Sequence, residues 1–188
     1  MVKFTLQQIL SQKIPYIFTY GSLMWDPGFE YEDKFQATLN GYQRLFCVCS
    51  IRFRGTHDNP GLALGLDYGG ECVGVVYKIS AAHLEESWTR IFTREMRTNA
   101  YVPTLVQIQS PQDQPLDVIA LVVNHNHAQH ADGLTEDEVL QKIRTCVGEA
   151  GTNLDYLKNT VLHLRELGIQ DEYLESLLKG AAYQPCSG

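Results

Sequence analysis

The chain of 188 residues is long enough for one domain with a substantial core, and its 44% hydrophobic residues are ordinary for a globular protein. The net charge of −7 and the scattered Lys and Arg residues argue against a nucleic-acid-binding protein, and no apolar run reaches the length of a membrane span. We expect no signal peptide, and five cysteines without CxxC spacing predict reduced thiols in the cytoplasm rather than a disulfide framework.

The N-terminal part of the chain predicts a short helix, a strand and a glycine turn. Thr5 is a candidate cap for a helix that ends near Gln12. Pro15 to Tyr20 is rich in aromatic and β-branched residues, which favours a strand, and Gly21-Ser22 then breaks it. A glycine followed by a small hydroxyl residue can aim backbone N–H groups at an anion, but the same pattern is typical of an ordinary tight turn.

Short apolar segments separated by turn residues follow, and they predict strands. We expect a surface loop at Phe29–Lys34, a turn at Asn40-Gly41, a strand at Tyr42–Ile51, and paired strands Leu62–Leu66 and Glu71–Ile79 joined through Asp67–Gly70. The polar segment Arg52–His57 carries two arginines. It is interpreted either as a carboxylate-binding loop or as a solvated connection.

The most informative residue lies on the next helix, which we expect Ser80 to cap and which begins at about Ala81. Leu84, Trp88 and Ile91 are spaced as one apolar face, and the next position in that series is Glu95. A glutamate near a helix end is usually solvated. If Glu95 instead points inward, loss of water contacts raises its pKa toward the range that is useful for proton transfer.

Two more strands are expected at Tyr101–Gln109 and Leu116–Asn124. His125, His127 and His130 follow in a polar loop, and we predict no metal site there because no helix or strand fixes their geometry.

The C-terminal third predicts helices. The capping box Thr135-x-x-Glu138 opens a helix with inward positions Val139, Leu140, Ile143 and Val147. A second helix is expected from Asn153 to Leu167, and a short one begins at Asp171. Tyr156 either packs in the second helix or points its hydroxyl into a site. We expect a loose tail from Ala181 to Gly188.

The order of elements predicts one α+β domain over residues 1–188. About six strands are interrupted by one helix, and a helical C-terminal third follows. We expect the sheet to curl into a small mixed β-barrel.

Four segments in this order resemble the ChaC family, whose members are γ-glutamylcyclotransferases that act on glutathione. The resemblance runs from about Tyr16 to Leu178, and the segments are Tyr20–Trp25, Arg54-Gly55-Thr56, Arg94-Glu95-Met96 followed by Tyr101–Thr104, and Gly151–Leu157. It implies the γ-glutamylcyclotransferase-like fold, a barrel flanked by helices.

The resemblance also implies residue roles. Glu95 is the implied catalytic acid and base. The implied substrate-binding residues are Thr19, Tyr20, Gly21, Ser22, Leu23, Arg54, Tyr101 and Tyr156. No metal and no organic cofactor is implied.

Two segments depart from the family pattern. This chain reads Pro60-Gly61-Leu62 where members often carry Pro-Gly-Arg, and Met96 to Ala100 lacks the glycines that many members have after the glutamate.

The first hypothesis is a cytoplasmic enzyme that cleaves glutathione, a small-molecule substrate, without a nucleic-acid or membrane partner and with no oligomeric state specified. The alternatives are a cyclotransferase for another γ-glutamyl compound and a non-catalytic binding module.

Overall fold

The computed structural model describes residues 2–182. The strands are β1 (Val2–Lys3), β2 (Tyr16–Thr19), β3 (Tyr31–Ser50), β4 (Gly61–Ile79), β5 (Tyr101–Gln109), β6 (Pro115–Val123), β7 (Val147–Gly148) and β8 (Gly151–Thr152). The α-helices are α1 (Leu6–Ser11), α2 (Leu84–Glu95), α3 (Glu136–Thr145), α4 (Asn153–Glu166) and α5 (Glu172–Ala182). Short 3₁₀-helices span Ser22–Met24 and Ala81–His83. Between residues 2 and 182, no helix combines the length and the apolar composition needed to cross a bilayer.

The chain divides into two compact units. The first combines Met1–Arg44 with Gly65–Ala128, and the second combines Leu45–Leu64 with Gln129–Gly188. The long strands β3 and β4 each contribute residues to both units. A single domain over residues 1–188 therefore stays a prediction.

Six strands form one mixed sheet in the order β1-β5-β6-β2-β4-β3. β2 pairs antiparallel with β4 and parallel with β6, and β5 and β6 form a full antiparallel pair from Tyr101↔Val123 to Gln109↔Pro115. The predicted α+β class is confirmed. The closed barrel is wrong: among residues 2–182 the end strands β1 and β3 do not pair, and β1 has only two residues with which to close the sheet.

Helix α2 packs on the first unit through the face that the sequence predicts. Trp88 and Ile91 are buried, and the indole N–H of Trp88 donates to the Ile14 carbonyl at 2.8 Å. A buried indole with a satisfied N–H is a strong anchor because it combines a large apolar area with one directional bond. Trp88 and Ile91 therefore fix the position and rotation of α2, and with them the direction of its last residue, Glu95.

Two predicted turns lie inside long strands. Asn40-Gly41 falls within β3, and Asp67–Gly70 falls within β4, so the predicted hairpin between two short strands is wrong. Gly41 and Gly69 have φ values of +81° and +111°, and a Cβ on Gly69 would lie 2.9 Å from the side-chain nitrogen of Gln43. The glycines therefore bend the strands without ending them, and the Gln43 amide donates to the Tyr68 carbonyl at 2.9 Å across the bend.

The predicted surface loop at Phe29–Lys34 is wrong from Tyr31 onward, where β3 begins. Contacts with β4 stabilise the extended form: Tyr31 packs edge-on against Tyr77 at 4.8 Å, and Glu32 pairs with Lys78 at 2.9 Å. Such cross-strand pairs stabilise a sheet whatever the local composition.

Smaller corrections concern helix ends. Ser80 makes no side-chain cap, and a 3₁₀-turn precedes α2. Val147 lies in β7 with 55% exposure rather than on the inner face of a helix. The predicted tail begins too early, since α5 continues to Ala182 and Ala181 is buried; residues 183–188 lie outside the described part of the chain.

In the second unit, α3, α4 and α5 pack on one another around Ile143, Leu157 and Leu174. The predicted capping box of Thr135 and Glu138 is confirmed. Asn153, the first residue of α4, is fully buried; it accepts from the Leu62 N–H at 2.6 Å and donates to the Leu62 carbonyl at 2.8 Å. One side chain therefore satisfies both backbone groups of a buried residue.

Replacing Asn153 with alanine tests this connection. The substitution leaves two buried backbone groups without a partner, at about 1–3 kcal/mol each. We expect Asn153→Ala to lower the free energy of unfolding by about 2–4 kcal/mol in urea titrations. Asn159→Ala, an exposed position on the same helix, is the control and should change it by less than about 0.5 kcal/mol. Equal effects of the two substitutions would contradict the assignment.

Candidate active site

Glu95 lies at the C-terminal end of α2, on the same face as Trp88 and Ile91. The helix includes Glu95, so the apolar stripe continues to this residue as predicted. Its side chain is only 21% exposed. The fold therefore turns this carboxylate away from bulk water.

The glycine turn follows β2 and leads into the 3₁₀-helix Ser22–Met24. Two residues from other strands hold its backbone. The buried Arg44 donates from Nε to the Tyr20 carbonyl at 2.6 Å and from Nη2 to the Val73 carbonyl at 2.7 Å, and the Tyr77 hydroxyl donates to the Met24 carbonyl at 2.6 Å. The turn is thus fixed at both ends by groups on β3 and β4.

Three of the five predicted turn residues are buried. Thr19 Oγ1 donates to the Val75 carbonyl, the Tyr20 hydroxyl donates to the Leu121 carbonyl, both at 2.8 Å, and Leu23 is 7% exposed. Gly21 and Ser22 are half-buried. Since a 3₁₀-helix leaves its first N–H groups without intrahelical partners, the turn offers backbone donors and the Ser22 hydroxyl.

Arg94 joins this turn to Glu95. Its Nη2 donates to Ser22 Oγ at 3.0 Å, and its Nε lies 3.0 Å from Glu95 Oε1. Its Nη1 donates to the Asp26 carbonyl at 2.8 Å and to Asp26 Oδ2 at 3.2 Å. One guanidinium therefore contacts the glycine turn, the segment after it and the carboxylate at the end of α2.

Two opposing effects act on the Glu95 carboxylate. Burial raises the pKa of Glu95 above its ordinary value of 4.5, and this effect is the larger one. The charge and the hydrogen bond of Arg94 lower the pKa of Glu95, so they offset part of the rise. A carboxylate with a raised pKa beside a fixed turn is suited to accept a proton and return it.

Tyr101 is the first residue of β5 and is half-buried opposite Val123 of β6. It belongs to the same unit as Glu95. Its role as a substrate contact stays a prediction.

Arg54 and Tyr156 belong to the second unit. The Arg54 guanidinium lies 5.1 Å from the ring centre of Tyr156, and the Phe46 ring meets Tyr156 edge-on at 5.8 Å. Arg54 Nη1 also donates to the carbonyls of Ala150 and Thr152. Arg54 therefore holds the β7–β8 turn and packs against Tyr156, and the roles of both residues as substrate contacts stay predictions.

The departure from the family motif at Leu62 falls on a core position. Leu62 has no exposed surface. The glycines beside it pack closely, since a Cβ on Gly55 would collide with the Gly61 nitrogen and a Cβ on Gly61 would collide with the Arg54 carbonyl. In this chain the side chain at position 62 fills the interior of its unit and does not line an accessible surface.

His125, His127 and His130 lie in the polar connection between β6 and α3, as predicted. His125 lies 2.6 Å from Asp67 Oδ1 and packs edge-on against Tyr68 in the first unit, while His130 forms a β-bridge with Val48 in the second. The expectation that this run holds no native metal stays a prediction.

Sequence reasoning missed three residues that organise the site. No role was predicted for Arg44, Arg94 or Asp26, although Arg44 and Arg94 bond the turn and Asp26 bonds Arg94. Arg44 had a detectable signal, because it is the one charged residue in the largely apolar segment Tyr42–Ser50. No sequence signal indicated the contacts of Arg94, because Ser22 and Asp26 are far away in the sequence.

Comparisons with known proteins agree with the resemblance. The glutathione-specific γ-glutamylcyclotransferase of Escherichia coli (strain K12) is 34% identical over 163 residues, which cover 87% of this chain and 71% of that protein. Glutathione-specific γ-glutamylcyclotransferase 1 of Rattus norvegicus is 31% identical over 179 residues, which cover 92% and 81% of the two chains.

Solved structures show the fold. A selenomethionine-labelled γ-glutamylcyclotransferase from yeast, described as specific to glutathione, superposes with a TM-score of 0.79 at 21% identity and covers 89% of this chain and 95% of that one. A γ-glutamyl cyclotransferase at 17% identity has a TM-score of 0.54, with 92% and 89% covered. The predicted γ-glutamylcyclotransferase-like fold is confirmed. The family model described as ChaC-like protein matches residues 15–183. The chain therefore belongs to the ChaC-like family.

Proposed function

We propose that this protein is a glutathione-specific γ-glutamylcyclotransferase that releases 5-oxoproline and Cys-Gly, with Glu95 as general acid and base. The observation that carries the proposal is the partly buried Glu95 carboxylate held by the same guanidinium as Ser22 of the glycine turn. The names of the relatives support glutathione as the substrate.

The reaction needs no nucleophile from the protein, because glutathione carries its own. The glutamyl α-amine attacks the γ-carbonyl carbon, a five-membered ring closes, and the amide bond to cysteine breaks. The enzyme has to hold the substrate in the ring-closing shape, and such positioning can supply several kcal/mol of the barrier reduction. Neither water nor an oxidant is consumed.

Glu95 transfers the protons in two steps. In its ionised form it takes a proton from the attacking amine, and in its protonated form it gives one to the leaving amine of Cys-Gly. A single carboxylate can do both because the two steps are sequential. Its raised pKa favours this role, since the proton it accepts is held more firmly than by an exposed glutamate.

The glycine turn binds the γ-glutamyl group in this proposal. Negative charge develops on the γ-carbonyl oxygen during attack, and the N–H groups at the start of the Ser22–Met24 helix stabilise it. Thr19, Tyr20 and Leu23 support the turn from the buried side. Arg54, Tyr101 and Tyr156 contact the rest of the substrate, an assignment that rests on the family resemblance.

We also propose a cytoplasmic location. The described cysteines, Cys47, Cys49, Cys72 and Cys146, form no disulfide with one another, which suits a reducing compartment.

The first test is the product assay on the Glu95→Gln variant. Glutamine keeps the shape of the side chain and cannot carry the proton, so kcat for 5-oxoproline release should fall about 10²–10⁴-fold. Glu85→Gln changes an exposed carboxylate in the first turn of the same helix and should leave the rate close to that of the unsubstituted enzyme. Turnover of Glu95→Gln within tenfold of that enzyme would remove Glu95 as the proton carrier.

The second test compares substrates. We expect kcat/KM for glutathione to exceed that for γ-glutamyl-alanine by at least about tenfold. A preference for γ-glutamyl-alanine would favour the alternative of another γ-glutamyl substrate. Binding of glutathione without release of either product would favour the non-catalytic module. Burial of Leu62 supports neither alternative, because the motif departure does not reach an accessible surface.

The third test measures stability against pH. A carboxyl with a pKa raised by folding contributes stability below 4.5, its ordinary pKa, and loses that contribution as pH rises through the folded pKa. We therefore expect Glu95→Gln to have a higher free energy of unfolding than the unsubstituted protein at neutral pH, with a smaller difference below pH 4.5. Urea titrations at both pH values measure this difference. The opposite result is that the stability of Glu95→Gln, relative to the unsubstituted protein, falls from acidic to neutral pH. It would show that the effect of Arg94 on the pKa of Glu95 outweighs the effect of burial.

A further inference from the structure

The side chain of Arg94 is in an unusual position for a residue near the end of a helix. It is 35% exposed, and each of its three nitrogens has a partner: Nε faces Glu95, Nη2 bonds Ser22, and Nη1 bonds Asp26 twice. The bonds to Ser22 and Asp26 fix the guanidinium from the side of the turn. Because the guanidinium is held in this way, its Nε–H group points in a fixed direction and orients Glu95 Oε1.

We propose that Arg94 is a positioning residue, which sets the distance between the glycine turn and the Glu95 carboxylate. Its charge also acts on the carboxyl group that it positions. The proposal rests on the proposed function, and it adds a role for a side chain that has no direct part in the proton transfers. Ser22 and Asp26 act through it, as the groups that keep its guanidinium in place.

The charges around Glu95 make Arg94 the relevant partner. Arg94 is the charged group that acts on the pKa of Glu95. Asp26, on the segment after the turn, bonds to Arg94. Helix α1, which packs on α2, carries no charged residue, and Arg97 beyond the helix end bonds to the Thr93 carbonyl. Removal of the Arg94 charge therefore leaves burial as the dominant influence on Glu95.

An arginine is needed for this role because of its shape. Its planar guanidinium presents donors in fixed directions and can bond three groups at once. A lysine carries the same charge on one mobile nitrogen and cannot span Ser22, Asp26 and Glu95 together. Charge and geometry are therefore separable by substitution.

The experiment compares Arg94→Met and Arg94→Lys with a control, Arg90→Met. Arg90 lies one turn earlier on α2, is 63% exposed and pairs with Glu86 at 2.7 Å. For each protein, kcat and the pH profile of kcat/KM are measured for 5-oxoproline release from glutathione. The acidic limb of that profile reports ionisation of Glu95 in the free enzyme.

We expect Arg94→Met to lower kcat about 10- to 100-fold and to move the acidic limb to higher pH, because both the alignment and the charge are lost. Arg94→Lys should keep the limb near its original pH while kcat still falls, and Arg90→Met should change neither. An unmoved limb in Arg94→Met, or an unchanged kcat in Arg94→Lys, overturns the proposal. The lysine variant decides the question if the methionine variant does not fold.

Failure of the proposed function would be visible separately. In that case the unsubstituted protein releases no 5-oxoproline from glutathione. The Arg94 proposal is then tested without turnover, by NMR titration of the Glu95 side-chain carboxyl carbon in the unsubstituted protein and in Arg94→Met. A higher pKa of Glu95 in the variant supports the proposal, and an unchanged pKa overturns it.

Discussion

The partly buried carboxylate of Glu95, in contact with one fixed guanidinium, is the interaction on which the site depends. Burial alone would favour the protonated form, and a neighbouring cation alone would lower the pKa of the carboxyl group. The two effects oppose each other at Glu95, and burial is the larger. Glu95 continues the buried helix face of Trp88 and Ile91, and Arg94 supplies the charge. The pKa of the last residue of α2 thus depends on both its burial and its neighbour.

In the proposed mechanism the glycine turn binds the γ-glutamyl group beside Glu95. Its position is set by hydrogen bonds to its backbone carbonyls from Arg44 and Tyr77. These bonds use backbone carbonyls of the turn as acceptors. A turn that is already fixed needs little reorganisation when charge appears on a bound carbonyl oxygen, which is the condition for effective electrostatic catalysis.

Local pattern predicted the helices and the position of Glu95 because both follow from helical periodicity within one segment. The same reasoning failed at Asn40-Gly41 and at Asp67–Gly70, where glycines with positive φ bend long strands instead of ending them. Contacts between strands decide that outcome, and no local pattern contains them. The network of Arg94 was equally hidden, since its partners Ser22 and Asp26 meet it only after folding. The family resemblance implied the candidate site residues, and the structure shows the contacts that hold Glu95 and the glycine turn.

Binding of the product tests most directly whether Glu95 and the glycine turn form one site. 5-Oxoproline, added to isotope-labelled protein, can be followed through the backbone amide signals of Gly21, Ser22 and Leu23 and through the side-chain carboxyl carbon of Glu95. We predict that these signals shift together, with one common dissociation constant. Shifts of the turn amides without a response of the Glu95 carboxyl, or shifts confined to residues away from both, would contradict it.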